Sequence, residues 1–345
     1  MKWITAVEPP SRVPQIAHTH RLLLMGSCFT SSIGELLREA KFQCDINPFG
    51  VLYNPISIAS ALREIAVGKH YTQEDLFFHG QWHSPMHHGD FSAATSEETL
   101  ARIHIRLQHA HAHLPQTDYL LITFGTAYVY QAKADGRVVG NCHKLPEHCF
   151  TRRRITAEEM VEAYTSLFAL LMQGDAALGI TGNPHLKILF TVSPIRHARE
   201  GMHANQLSKA VLLLAIDQLQ TRFPDSCFYF PAYELMMDEL RDYRFYADDL
   251  LHPSSVAIQY IGEQFFLHCL TSQAQEAARA CIRLAKELAH RPLHPDAVEY
   301  RRFLEQLLVK MHQLGSRYPY LAFDKEKELC HTRLNNLPTT WAPDA

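Results

Sequence analysis

Two short stretches carry residue types that could do acyl-transfer chemistry. The first is Gly26-Ser27-Cys28, which follows the apolar run at 22–25 (LLLM). A strand that ends on Gly26 can turn sharply and present Ser27 and Cys28 at the start of a helix, where the helix end favours a thiolate. The second is Asp249-Leu250-Leu251-His252-Pro253. A carboxylate three residues before a His, in a loop entering a helix, can lie beside the imidazole and orient it as a general base. A nucleophile at one strand end and a late Asp-x-x-His together suggest a nucleophile–base–orienter set. Taken singly, Gly-Ser-Cys is a common tripeptide, and a buried Cys more often serves as a small hydrophobe.

The elements around these stretches must bring them together. Residues 22–25, 119–124 (YLLITF), 185–192 and 227–230 read as buried strands, and 44–49 holds a shorter one. Helical spacing of apolar residues covers 31–42, 55–66, 96–114, 156–172, 205–223 and 253–269, with Asn54 as N-cap and Pro55 as the first residue of its helix. Residues 128–139 alternate around Asp135-Gly136, a hairpin signal, and 71–93 reads as loop with short strands. Strand and helix alternation predicts an α/β fold with a mainly parallel sheet, and ligands in such sheets gather at the carboxyl ends of the strands. The expected organisation is an α/β domain over 1–270 and a helical C-terminal extension over 271–345. Within it, 274–318 is helical by pattern, and 319–345 has little periodicity.

Composition narrows the function classes. The 345 residues are 47% hydrophobic and 20% charged, with a formal net charge of -3. Disorder and a global basic field for nucleic acid are both disfavoured. The eight cysteines contain no CxxC pair, against a disulfide scaffold or a structural zinc site. No stretch resembles a membrane span, and residues 1–10 lack an apolar signal core. A cytoplasmic protein with free thiols is the expectation.

The combination resembles the SGNH (GDSL) hydrolase superfamily, and more closely the GSCFA family. The stretches that carry the resemblance are MGSCFTSSIGELL (25–37), NPFGVLYNPISIASAL (47–62), ITFGTAYVY (122–130), VVGNCHKLP (138–146), FTVSPIRH (190–197), NQLSKA (205–210) and YFPAYELMMDELRDYRFYADDLLHPS (229–254). The resemblance implies a three-layer α/β/α SGNH-like domain. It puts Cys28 at the nucleophile position and Ser27 on the position of the superfamily's Asp. A one-residue shift makes Ser27 the nucleophile instead. It implies Asp249 and His252 as the other triad members, and Gly50 with the Cys28 backbone as oxyanion donors. Gly125 falls on the third-block Gly, but Ala127 stands where an Asn oxyanion donor is expected, leaving Thr126 or Asn141 to replace it.

Other polar residues are weighed as pocket neighbours. Asn54, His88, Gly125, His143, Arg196 and His197 are taken as substrate-binding. Arg196-His197 follows a strand, where a cation could bind a carboxylate or phosphate, or else pair with the Asp-rich segment 238–249. Asn205 reads equally as a plain helix N-cap. The 22 histidines raise a metal reading, and His79, His83, His87 and His88 are closely spaced. No second cluster supplies ligands in register, so no metal is expected. His104, His109, His111 and His113 spread over several faces of one helix and read as solvated surface.

The expected function is hydrolysis or transfer of an acyl group on an ester or thioester, with an O-acyl carbohydrate as one substrate class. No cofactor is expected beyond a coenzyme A thioester as an acyl donor, and neither nucleic acid nor membrane is an expected partner. Two other readings stand beside it. One is a degenerate SGNH domain that binds a carbohydrate or acyl carrier without turnover, and the other is a metallohydrolase on the His-rich loop.

Overall fold

The computed structural model describes residues 4–8, 10, 12–290 and 297–337. Five strands form a central sheet: β1 (Arg21–Gly26), β2 (Gln43–Ile46), β3 (Tyr119–Phe124), β4 (Lys187–Val192) and β5 (Cys227–Tyr229). Every pairing in it is parallel, and the order is β5-β4-β3-β1-β2. This is a doubly wound order in which the winding reverses between β1 and β3, leaving a crevice outside their carboxyl ends.

The strands alternate between two cores. Leu23 and Met25 of β1, Leu120, Ile122 and Phe124 of β3, and Ile188 and Phe190 of β4 face one layer. That layer holds α2 (Pro55–Val67), α3 (Ser96–His113), α4 (Ala157–Gln173) and α5 (Met202–Arg222). Leu22, Leu24, Leu121 and Leu189 face the other, against α1 (Cys28–Glu39) and α6 (Ser255–Cys269). Burial on both faces is why these strands are near-continuous apolar runs. The sheet is thus the middle of three layers, as the resemblance implies.

The C-terminal helices α7 (Ser272–Ala289), α8 (Ala297–Arg317) and α9 (Asp324–Asn335) share a third core, including Leu284, Leu304, Leu307 and Cys330. The Lys41 ammonium, just past α1, pairs with Glu326 of α9 and lies 5.3 Å from the Phe323 ring. Among the described residues, no helix is long and apolar enough to cross a membrane.

Three expectations are corrected. The segment after 319 is not aperiodic: α9 occupies Asp324–Asn335, and 338–345 lie outside the described residues. Helix α5 begins at Met202, behind Gly201 in a left-handed turn at φ 83°, so Asn205 is internal to it and not its cap. The histidines of α3 are not simply solvated. His104 bonds the Tyr71 carbonyl, His111 that of Ile65 and His113 that of Leu22, while His109 reaches the buried Asp45. They dock the helix onto its neighbours.

Between β3 and α4 the chain forms a small antiparallel sheet from Tyr128–Ala132, Val138–Val139 and Phe150–Arg154. The Asp135-Gly136 hairpin is its first turn. This sheet stands over the crevice and forms one wall of it.

Candidate active site

The turn after β1 is built around Gly26, whose φ of 147° few side chains tolerate. A Cβ there would meet the Thr123 carbonyl oxygen at 2.2 Å. The Gly26 N–H donates to Asn47 Oδ1 at 2.8 Å, and the Ser27 N–H donates to the Thr123 oxygen at 3.3 Å. Asn47 Nδ2 in turn donates to Ser31 Oγ at 2.9 Å, so the ends of β1, β2 and β3 and the first turn of α1 are tied together.

Ser27 is the N-cap of α1, and its buried Oγ has no hydrogen-bond partner. Cys28 is the first residue of the helix and half-buried. Its Sγ lies 3.5 Å from the Tyr53 hydroxyl. Burial and the neighbouring Cys28 push the Tyr53 phenol upward, so that hydroxyl keeps its proton.

Asp249 and His252 form a closed unit. The imidazole Nδ1 lies 2.5 Å from Asp249 Oδ2, and Asp249 Oδ1 accepts the N–H groups of Leu251 and His252 at 2.9 Å each. These backbone and side-chain donors hold the Asp249 carboxyl down at about 2. With Nδ1 donating to the carboxylate, Nε2 is the free basic nitrogen. The loop is shaped by Leu250 at φ 57°, and its backbone binds Arg196: the Arg196 N–H donates to the Leu251 oxygen at 3.1 Å, and Nη2 to the Leu250 oxygen.

Ser27 and His252 line one cavity of about 690 Å³. All the segments that follow β1, β2, β3 and β4 contribute to it, as the position of the crevice requires. Of the sequence-predicted residues, Asn54, Thr126, Asn141, His143, Arg196 and His197 also line it. Cys28, Gly50, His88, Gly125 and Asp249 do not form its surface. Cys28 reaches it through Tyr53, Asp249 lies behind His252, and Gly125 backs the wall near His197 and Tyr53. Gly50 and His88 pack on each other elsewhere, with a Cβ on Gly50 falling 2.2 Å from that of His88. His252 is not hydrogen-bonded to Ser27 or Cys28; it and Ser27 face the same space.

The donors expected to form an oxyanion hole divide in two. The Gly50 N–H is committed to the Asn47 carbonyl at 2.8 Å. The Thr126 N–H is also committed, to Tyr53 O, and Thr126 Oγ1 accepts the Tyr128 N–H and shares a hydrogen bond with Ser208 Oγ. The Cys28 N–H, first in its helix, has no intrahelical acceptor. Asn141 spends Oδ1 on the His143 N–H at 2.8 Å and keeps its amide nitrogen without a protein partner among the described residues. Asn54 is structural, capping α2 through Ser57.

His143 sits in a left-handed turn at φ 46° and bonds the Ser84 carbonyl at 2.8 Å. His197 is pushed down to about 4 by burial and then by the charges of Lys209, His252 and Arg152, so its ring is neutral. The His197 backbone N–H donates to Asn205 Oδ1 at 3.0 Å, which gives Asn205 a positioning task in place of a cap.

From sequence, Lys209 reads with Asn205 and Ser208 as the start of a helix in the matched stretch 205–210, with no role of its own. It is fully buried, and Nζ donates to the Gly125 and Ser193 oxygens at 2.7 Å each, joining the ends of β3 and β4. Burial lowers it to about 7. The aromatic wall of Tyr128, Tyr130 and Phe150 comes from the antiparallel sheet, and Arg152 stacks over the two tyrosines.

Two family models match the chain. The one described as GSCFA family covers residues 21–265, and the one described as GSCFA domain protein, C-terminal domain, covers residues 282–336. No curated protein matches it. The first match spans the sheet, its helices up to residue 265 and every residue of the cavity, and on it the chain belongs to the GSCFA family.

Proposed function

We propose that the chain is an SGNH-type hydrolase or acyltransferase acting on an ester or thioester. The observation that carries this reading is the closed Asp249–His252 pair on the rim of a cavity that starts at the Ser27–Cys28 turn. In this reading Cys28 Sγ attacks the acyl carbonyl carbon and His252 Nε2 takes the thiol proton. The oxyanion is met by the Cys28 N–H and the Asn141 amide. Collapse expels the alcohol or thiol, which receives the proton from His252. Water, or an acceptor hydroxyl, then loses its proton to His252 as it attacks the acyl-enzyme, and the thiol is regenerated.

Cys28 is preferred over Ser27 because it is half-buried with its sulfur against the Tyr53 hydroxyl, whereas Ser27 Oγ, though its residue lines the cavity, is buried. The open space between His252 and this turn is where the scissile group would sit, and catalytic hydrogen bonds commonly tighten only around bound substrate. The wall of Tyr128, Tyr130 and Phe150 suits the flat face of a sugar ring, which supports an O-acyl carbohydrate as one substrate class.

The second reading, a binding domain without turnover, is favoured by one observation: the backbone N–H groups of Gly50 and Thr126 are both already spent on carbonyls. Short p-nitrophenyl esters and acyl thioesters decide between them. Catalysis predicts activity that is lost in both Cys28→Ala and His252→Ala, with Ser27→Ala as the test of the alternative nucleophile. Activity retained in both Cys28→Ala and His252→Ala rejects the triad, and none in the wild-type chain favours binding alone.

A further inference from the structure

The charges lining the cavity do not balance. Lys144, Arg152, Arg196 and Arg199 face two carboxylates, Glu147 and Glu200. Both carboxylates are taken, since Arg152 pairs with Glu200 and Arg199 with Glu147. Lys144 and Arg196 have no carboxylate partner among the described residues. The expected pairing of Arg196 with the 238–249 segment is not made: Asp238 and Asp242 line a neighbouring cavity with Arg196, but Asp242 is held by Arg244 at 2.8 Å.

Arg196 is also oriented. Its guanidinium carbon lies 4.4 Å from the Tyr246 ring centre and 5.5 Å from that of Tyr243, and Nη2 is anchored on the Leu250 carbonyl. Nε is buried without an acceptor. A guanidinium held between an aromatic ring and one carbonyl, with donors to spare, suits a planar or tetrahedral oxyanion. Behind the wall, Lys209 lies on neutral carbonyls and offers no carboxylate to balance the cavity's positive charge.

We propose that the ligand of this cavity carries an oxyanion, a carboxylate or a phosphate, received by Arg196 with Lys144 adding charge. The inference rests on the cavity being the substrate site of the proposed function, but not on turnover occurring there. For an acyl ester it means an acid terminus or a phosphorylated leaving group.

Binding tests it apart from catalysis. Succinate, inorganic phosphate and the neutral diamide of succinate are titrated calorimetrically into the full chain at fixed ionic strength. At least one anion should bind about tenfold or more tightly than the diamide, as expected of a charge-assisted contact. Arg196→Gln should weaken that anion about tenfold, and Lys144→Asn, at an exposed left-handed position that Asn tolerates, by a smaller factor. Preference for succinate assigns a carboxylate, and preference for phosphate a phosphate. Anions that bind no better than the diamide, or affinities unchanged in both variants, overturn the proposal. Anion binding without ester turnover would keep this inference and remove the catalytic reading.

Discussion

Asp249 holds His252 from two sides, one carboxylate oxygen 2.5 Å from the imidazole Nδ1 and the other accepting the His252 backbone N–H at 2.9 Å. The ring and the main chain that carries it are therefore oriented by a single side chain. Asp249→Asn keeps the shape but removes the charge that fixes the tautomer. Turnover on p-nitrophenyl esters should fall by about 10²–10⁴-fold with little change in KM. Because the carboxyl is held at about 2, it stays ionised until the pH falls to that range. An acid limb with its midpoint above pH 4 would belong to another group.

Lys209→Met tests the clamp between β3 and β4. It leaves the Gly125 and Ser193 oxygens without their buried donor, at a cost of about 1–3 kcal/mol each. Urea denaturation should show the loss. A pH comparison adds a sign. The folded lysine titrates at about 7, below its unfolded value, so the unfolded chain binds more protons between the two values. Wild-type stability should rise relative to the variant between pH 7 and pH 9. An unchanged difference would show that the buried ammonium is not displaced in its titration.

His87 is stacked on Phe49 at 4.2 Å, fully enclosed, and burial pushes it down to about 3. The unfolded imidazole binds a proton near pH 6.5 while the folded one does not, so stability is lost as pH falls from that value toward 3. For one such histidine the loss between pH 7 and pH 5 is roughly 2 kcal/mol. His87→Phe should flatten the slope by about that amount in denaturation at the two pH values, whatever it costs through the lost contact with Ser84.

Gly26→Ala should give little soluble folded chain. The added methyl would meet a backbone oxygen at 2.2 Å, at a φ that alanine avoids. A normal melting profile would mean that β1 and β3 can separate at this point without unfolding.

The sequence made the sheet legible because three of its strands are apolar on both faces, a pattern that only a sandwiched parallel sheet requires. The Asp249–His252 pair was legible because the interaction is local, between residues three apart. The roles of Gly50 and His88 were drawn from resemblance, and in the fold the two pack on each other without lining the cavity. The role of Lys209 was hidden because nothing local marks a lysine in a helical stretch as buried. Only the topology shows that two strand-end carbonyls converge on it. Helix α9 was missed because its single fully buried side chain, Cys330, gives almost no periodic signal.

The parallel order also dictates when the site can exist. Leu22 pairs with Tyr119 and Gly26 with Thr123, partners separated by nearly a third of the chain. Parallel strands with such separations close large loops before they gain contacts, which slows folding. The Ser27 amide takes its acceptor from Thr123, so the turn bearing Ser27 and Cys28 can lock only after β3 has arrived. A nascent chain would therefore pass residue 124 before its reactive thiol has a fixed environment.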